Sequence, residues 1–211
     1  LTGAYKGYIK IGASSIPGTY LLTPFISRYF TKNPNTYIEL IVEDSGVVVE
    51  RLKKGLIDLG FVGYAFEEED FKKEELWEDR IVFVGNNSVG SPLSFEELIK
   101  HPFVIRDRNS GTRRFMEAFL RKLGVSLKEF NVMLETNRND VILNILKETK
   151  AVSFLSYYAV RDVAGIKILE VKDIELPTRK FYMIYDEDRP QSPAVRNFME
   201  ELRKNTVSLK L

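Results

Sequence analysis

Predicted strands and helices alternate along the first part of the chain, and this order restricts the fold more than any other feature. Alternating polar and apolar residues predict a strand at residues 8–11, and two further strands are predicted at 37–43 and 57–63. Apolar residues at helical spacing lie between these strands, at 21–30 and 47–54. A strand–helix–strand–helix–strand order predicts parallel strands that are joined by right-handed crossovers.

The remaining chain repeats this order, although its sequence shows no clear repeat of the first half. Helices are predicted after Ser110, after Asn137 or Asn139, and after Ser192, because each of these residues is a good N-cap. Two halves of similar size predict an α/β fold of two lobes with a cleft between them. The strands predicted for this half are 77–84, 103–105, 132–135, 151–155, 166–171 and 180–185.

The composition excludes several classes of protein and site. The chain has 31 basic and 30 acidic residues, so it lacks the basic excess that marks nucleic-acid binders. It has no cysteine and a single histidine, His101, so we expect no thiolate chemistry and no histidine-rich metal site. No apolar run is long enough to span a membrane, and the charged run at 67–75 predicts a solvated loop.

The first residues, LTGAYKG, have neither the apolar core of a signal peptide nor an initiator methionine. We therefore expect a fragment or a processed chain.

The turn at residues 109–112 is the main candidate for a binding site. It follows a short apolar strand, and Ser110 stands at the N-cap position of a helix that Gly124 should end. The first turn of a helix presents backbone N–H groups and the positive end of the helix dipole, and Ser110 and Thr112 add hydroxyls. Such a turn can hold an anion. The alternative is an ordinary capped helix whose N-terminus binds nothing.

Other predicted turns meet this one at the carboxyl ends of the strands, where α/β sheets bind their ligands. They lie at 14–16, 63–64 and 153–157, and most of them carry hydroxyls, which favours the anion site. Arg106 and Arg108 are candidates for bidentate contact with a carboxylate, with solvent exposure as the alternative. Arg113 and Arg114 would lie in the first helical turn, where cations are unfavourable and a bound anion would relieve that cost. Phe154 and Tyr157 are read either as an apolar pocket wall or as core residues.

The order of these segments resembles the effector-binding domain of LysR-type transcriptional regulators. Residues 7–14, GYIKIGAS, are similar to the opening strand and first pocket turn of that family, and residues 24–34 resemble its first helix and the break after it. LKKGLIDLGF at 52–61 resembles the "L..G.lDlg" stretch, and SGTR at 110–113 resembles an element of one branch. The resemblance covers nearly the whole chain.

This resemblance implies a two-lobed type 2 periplasmic-binding-protein-like α/β fold, in which each lobe is a mainly parallel sheet flanked by helices. Residues 1–80 and 184–211 would form lobe I, and residues 81–183 would form lobe II. The winged helix-turn-helix of the family precedes this domain and is absent from the chain, so DNA would be bound only by the parent protein. The family also implies a cytoplasmic protein without a membrane segment, and a homodimer or tetramer whose effector domains pair antiparallel.

The implied ligand is a small anionic metabolite or an inorganic anion such as sulfate, bound in the interlobe cleft. Ser156 stands where the family often has proline, and it could add a hydrogen-bond donor. No cofactor and no metal are expected. The predicted effector-binding residues are Ser14, Ser15, Ile16, Gly63, Arg106, Ser110, Gly111, Thr112, Phe154 and Ser156.

Two other functions fit the same fold. One is an extracellular solute-binding receptor for a small anion, which would need a signal peptide or lipid anchor in its precursor. The other is an enzyme that resembles prephenate dehydratase, a family marked by a Thr-Arg-Phe element. Residues 112–115 read Thr-Arg-Arg-Phe, which departs from that element by one arginine. Asp58 and Asp140 are isolated and no acid–base pair is clustered, so we expect no catalysis.

Overall fold

A computed structural model describes residues 7–63 and 71–206, which form two compact units. Unit 1 comprises Leu1–Glu78 and Lys180–Leu211, and unit 2 comprises Asp79–Arg179. The strands are β1 (Gly7–Ala13), β2 (Thr36–Val42), β3 (Leu59–Val62), β4 (Lys72–Gly85), β5 (Pro102–Arg106), β6 (Asn131–Thr136), β7 (Ser153–Ser156), β8 (Lys167–Ile168) and β9 (Thr178–Tyr185). The helices are α1 (Leu22–Lys32), α2 (Ser45–Lys53), α3 (Phe95–Ile99), α4 (Gly111–Lys122), α5 (Asn139–Glu148), α6 (Tyr157–Val160) and α7 (Pro193–Thr206).

Unit 1 has the parallel strands that the sequence predicts. β1 pairs in parallel with β2 and with β3, and β9 joins the other side of β3 in the antiparallel direction. The terminal helix α7 packs on β1 and α1, where Phe198 meets Phe25 and Tyr29 edge to face with ring centroids 5.1 Å apart. Because α7 comes from the end of the chain, unit 1 is built from two distant segments.

The turn predicted at residues 14–16 is only partly right, because the chain becomes helical at Ser15. Pro17–Leu21 forms a π-helical turn, and α1 continues directly from it with Pro24 in its first turn. Gly18 lets this turn approach β2 closely, since a Cβ there would lie 2.7 Å from a methyl of Val42. A bulkier residue would force the helix away from the sheet.

The charged run at residues 67–75, predicted as a solvated loop, contains the start of a strand. Residues 67–70 lie outside the described part of the chain, but Lys72–Glu75 begins β4. Arg203 of α7 binds both carboxylate oxygens of Glu74, at 2.6 and 2.8 Å, and Lys180 of β9 binds Glu75 at 2.6 Å. These long-range ion pairs allow a charged segment to join a sheet.

Unit 2 is an α/β unit whose strands run in both directions. β5 and β6 are parallel, whereas β7 and β8 both pair antiparallel with β4. Its core is rich in aromatic rings, among them Phe83, Phe103 and Phe154, each fully buried. The fold class is as predicted, with antiparallel strands that make the sheets mixed.

Several local predictions for unit 2 are wrong. The predicted strand at 166–171 is reduced to the two residues of β8. The N-cap of α5 is Arg138, whereas Asn137 or Asn139 was predicted. Asn139 already lies in the helix. Leu123, which we placed on the apolar face of α4, is the C-cap of that helix and is 49% exposed. Within the described residues, no helix is long and apolar enough to cross a bilayer.

Candidate functional site

The turn before α4 has the capped geometry that its sequence predicts. Ser110 has extended dihedral angles, φ −64° and ψ 124°, and its hydroxyl accepts a hydrogen bond from the backbone N–H of Arg113. At the other end, Gly124 adopts a left-handed φ of +74°, which favours glycine. Helix α4 therefore begins and ends where the local sequence requires.

The N-terminus of α4 combines backbone donors with two nearly buried hydroxyls. Ser110 is 3% exposed and Thr112 is 5% exposed. The backbone N–H groups of Gly111 and Thr112 lie in the first turn, where a helix offers them no carbonyl partner. Apart from its chain neighbours and the backbone of α4 itself, no heavy atom lies within 4 Å of the position that a Cβ of Gly111 would occupy, so the space beside Gly111 is open.

A buried ion pair lies directly behind this turn. Arg179 on β9 donates from Nε to a carboxylate oxygen of Asp79 on β4 at 2.9 Å, and from Nη2 to the hydroxyl oxygen of Thr112 at 3.0 Å. The other carboxylate oxygen of Asp79 accepts the hydroxyl proton of Ser156 at 2.8 Å. The pair is almost completely buried, with 4% of the Arg179 side chain and none of the Asp79 side chain exposed.

Burial disfavours both charges of this pair. It raises the pKa of the Asp79 carboxyl, while the charge and hydrogen bonds of Arg179 act in the opposite direction. Burial likewise lowers the pKa of the Arg179 guanidinium, which Asp79 counteracts and the charge of Arg106 reinforces. Each group is therefore held in its ionised form mainly by the other.

The sequence analysis missed both members of this pair, although a signal was present. On β4, Asp79 is in phase with Trp77 and Ile81, which are buried, and on β9 Arg179 is in phase with the buried Phe181. Opposite charges at core-facing positions of two strands indicate a buried ion pair, since an isolated charge there would be costly.

The hydroxyl of Ser156 already donates and accepts hydrogen bonds within the protein. It is 1% exposed, its proton is directed at Asp79, and its oxygen accepts the backbone N–H of Tyr158 as the N-cap of α6. Its hydroxyl therefore stabilises the Asp79 carboxylate and the start of α6.

Two of the arginines considered above are buried, and the alternative of solvent exposure is wrong for Arg106. Arg106 is 5% exposed and donates to the side-chain oxygen of Asn139 at 2.9 Å, whereas Arg108 is exposed. Arg113 is also buried and is neutralised by Glu117 at 2.9 Å and Glu135 at 2.8 Å. These carboxylates offset the cost of a cation in the first turn of α4.

Phe154 belongs to the core of unit 2. It is fully buried and packs edge to face against Phe83, with ring centroids 6.5 Å apart. Of our two interpretations of Phe154, the structure supports that of a core residue.

The predicted site residues of unit 1 lie at the carboxyl ends of adjacent strands. Ser14 follows β1 and donates its backbone N–H to the carbonyl of Phe61 on β3 at 2.8 Å. Ser14 and Ser15 are partly exposed, and Ile16 is buried. Gly63 follows β3, where a Cβ would lie 2.5 Å from the ring of Phe181, so its small size has a packing reason. Tyr64, the other half of that predicted turn, lies outside the described residues.

Metal binding and acid–base chemistry find little support in the described ranges. No group of three His, Cys, Asp or Glu residues there is placed to hold a metal ion. Asp58 accepts the backbone N–H of Lys10 at 2.8 Å, and Asp140 pairs with Arg138, so both carboxylates have structural roles.

Comparison with known sequences links the chain to transcriptional regulators. It is 29% identical over 210 residues to the uncharacterized HTH-type transcriptional regulator MJ0300 of Methanocaldococcus jannaschii, covering 94% of this chain and 69% of that protein. It is 28% identical over 200 residues to the regulator YeiE of Escherichia coli, covering 92% and 67%. A phosphonates import ATP-binding protein, PhnC of Anaeromyxobacter dehalogenans, is 30% identical over 203 residues, but the chain spans only 41% of its length.

Solved structures and a family model support the same assignment. The regulatory domain of Synechocystis CcmR in complex with 2-PG superposes with a TM-score of 0.85 at 19% identity, covering 97% of this chain and 99% of that one. The effector-binding domain of BenM with benzoate gives 0.79 at 16% identity, covering 97% and 94%. The family model described as the LysR substrate binding domain matches residues 2–206. The chain therefore belongs to the LysR substrate-binding domain family, the regulatory domain of LysR-type transcriptional regulators.

Proposed function

We propose that this domain senses a small anion, either an organic carboxylate or phosphate or an inorganic ion such as sulfate, at the turn before α4. The observation that carries the proposal is the open space at Gly111, which adjoins first-turn backbone donors and the hydroxyls of Ser110 and Thr112. Donors without an acidic side chain in the same turn suit an anion. Benzoate and shikimate, which accompany two of the similar solved structures, are also carboxylates.

Ser14, Ser15 and Ile16 of unit 1 remain further candidates for contact with an anion. An anion that binds one arrangement of the parent protein more tightly than another shifts the population toward it. The chain spans about two thirds of its regulator relatives, and we propose that the rest of the parent protein carries the DNA-binding part. The parent would act in the cytoplasm as a homodimer or tetramer.

The same features favour a regulator over the two alternatives. The relatives named as regulators match over most of their length, which favours transcriptional control over solute uptake. Asp58 and Asp140 have structural roles and the relatives are named as regulators, so we propose that the domain is not an enzyme.

A thermal-shift screen at constant ionic strength tests the proposal. The panel holds sulfate, phosphate, thiosulfate, benzoate, shikimate and acetylserine, and a ligand that binds only the folded state raises the melting temperature as its concentration increases. We expect a specific shift that Thr112→Val reduces at the same ligand concentration. Ser126→Ala, which removes a cap hydroxyl elsewhere in unit 2, should keep the shift. Equal shifts in all variants would contradict the proposed site.

A further inference from the structure

We infer that Asp79 and Arg179 determine which ligands the site accepts, by directing the hydroxyl proton of Thr112 toward the ligand. The site would then take a group that only accepts hydrogen bonds, such as a carboxylate, sulfate or phosphate oxygen. It would disfavour cationic groups such as ammonium ions, and it would favour a charged acceptor over its neutral amide analogue. This inference rests on the proposed function, because it concerns the same turn.

The first step is the direction of the Thr112 proton. A hydroxyl has one proton to donate and two lone pairs to accept with, whereas a guanidinium has only donors. Arg179 Nη2 lies 3.0 Å from the Thr112 oxygen, so the hydroxyl must be the acceptor in this contact. Its proton therefore points away from Arg179. Within residues 7–63 and 71–206, the Thr112 hydroxyl donates no hydrogen bond, so its proton remains available to a ligand.

The second step is the rigidity of Arg179. Its Nε is held by Asp79 at 2.9 Å, and the other oxygen of Asp79 is held by Ser156 at 2.8 Å. The guanidinium carbon also lies over the ring of Phe115, 6.0 Å from its centroid. These contacts fix the guanidinium plane, so Arg179 keeps one lone pair of the Thr112 oxygen occupied and the hydroxyl proton directed away from itself. Serine at position 156 contributes to the same arrangement.

The third step is the sign of the local field. The Asp79–Arg179 pair is neutral as a whole, but its positive end faces Thr112 and its negative end faces Ser156. The N-terminus of α4 adds the positive end of a helix dipole at the same place. Burial strengthens both effects, because little water is present to screen them. A cationic ligand group would therefore meet electrostatic repulsion, whereas an anionic group would be attracted.

Arg179 is a positioning residue in this scheme, because it acts through Thr112. Removing the buried pair should therefore weaken anion binding only while the Thr112 hydroxyl is present. A purely structural role would weaken binding to the same extent whether or not that hydroxyl is there. The two roles differ in a double-mutant cycle.

The experiment measures the Kd of sulfate, benzoate and the neutral analogue benzamide by calorimetry, with the whole chain. Two variants change Thr112 alone, to Ser or to Val. A third carries the double change Asp79→Leu with Arg179→Met. The fourth is the triple variant that combines this double change with Thr112→Val. The double change replaces a buried ion pair by apolar groups, which proteins often tolerate, whereas removing one partner alone would leave a buried charge. Cooperative thermal unfolding of each variant checks that it folds.

We expect Thr112→Ser to bind like the wild type, and Thr112→Val to weaken binding of sulfate or benzoate about tenfold. The double change should weaken it similarly and reduce the preference for benzoate over benzamide, but should add nothing in the Thr112→Val background. Additive losses in the cycle would overturn the inference and leave the proposed function intact. If the wild type bound neither sulfate nor benzoate, the result would contradict both the inference and the proposed function.

Discussion

Gly63 shows how a residue in a pocket-like turn can be required for packing. A Cβ at this position would lie 2.5 Å from the Phe181 ring, and Phe181 is only 1% exposed, so the ring has little room to move. We expect Gly63→Ala to lower the free energy of unfolding by about 1–3 kcal/mol, as overpacked core positions do. Chemical denaturation with the midpoint and slope measured separately checks this prediction.

The matched control is Gly46→Ala in helix α2 of the same unit. A Cβ there meets no atom within 4 Å, so the change should stabilise the helix by about 0.5–1 kcal/mol. If both alanines had the same effect, the contact with Phe181 would not be what makes Gly63 necessary.

Helix α4 depends on the cap that Ser110 provides. Its hydroxyl is the side-chain acceptor for the N–H of Arg113, so Ser110→Ala should cost about 1 kcal/mol of stability. Gly111→Ala, one residue along, meets open space and lies in the first turn, so it should leave stability unchanged or slightly higher. Urea denaturation of the two variants separates loss of the cap from any general sensitivity of this turn.

Strand β4 and helix α7 are joined by Glu74, which binds Arg203 through both oxygens and accepts the Tyr185 hydroxyl at 2.7 Å. The hydrogen bonds from Arg203 lower the pKa of the Glu74 carboxyl in the folded state. Stability from a lowered carboxyl pKa is present above the unfolded pKa and is lost as the pH falls through the folded one. Glu74→Gln should therefore cost about 1–2 kcal/mol near pH 7.

Denaturation curves at several pH values test this linkage. The difference between wild type and Glu74→Gln should shrink below about pH 4, as the wild-type carboxyl takes up a proton. Glu50→Gln removes a more exposed partner, of Lys54 at 3.8 Å, and should change stability by no more than about 0.5 kcal/mol. A pH-independent difference for Glu74→Gln would show that packing, and not charge, is lost.

These elements also show how far the sequence predicts the fold and the site. Helix α4 and its hydroxyl-bearing turn were predictable because their caps and apolar face lie within one short segment. The start of β4 was not, because Glu74 depends on Arg203, which is 129 residues away. The contact of Arg179 with Thr112 spans 67 residues, so neither local pattern names its partner. The local signal of the burial of Arg179 was its position in the alternation of β9, which places it on the same side of the strand as Phe181.

At the scale of the whole molecule, the two units differ in how they use the chain. Unit 2 is one continuous segment with its own core, whereas unit 1 needs the return of residues 180–211. We expect a segment of residues 79–179 to unfold cooperatively when produced alone, since Asp79 and Arg179 at its two ends bind each other. Calorimetry of that segment checks this.

A matched segment that carries Arg179→Met should melt at a lower temperature, because Asp79 would be left buried without its counter-charge. Without a cooperative transition in the unchanged segment, unit 2 could not be regarded as an independent folding unit.

The contact between Asp79 and Arg179 brings together residues that are 100 positions apart in sequence. The chain thus enters and leaves unit 2 at neighbouring points, as in a domain inserted into a loop of a host protein. Recombination between relatives can replace such an insert without changing the spacing of the host segments on either side. The proposed anion site at the start of α4 can therefore diverge as a cassette, while the host unit keeps its own ends and its own core.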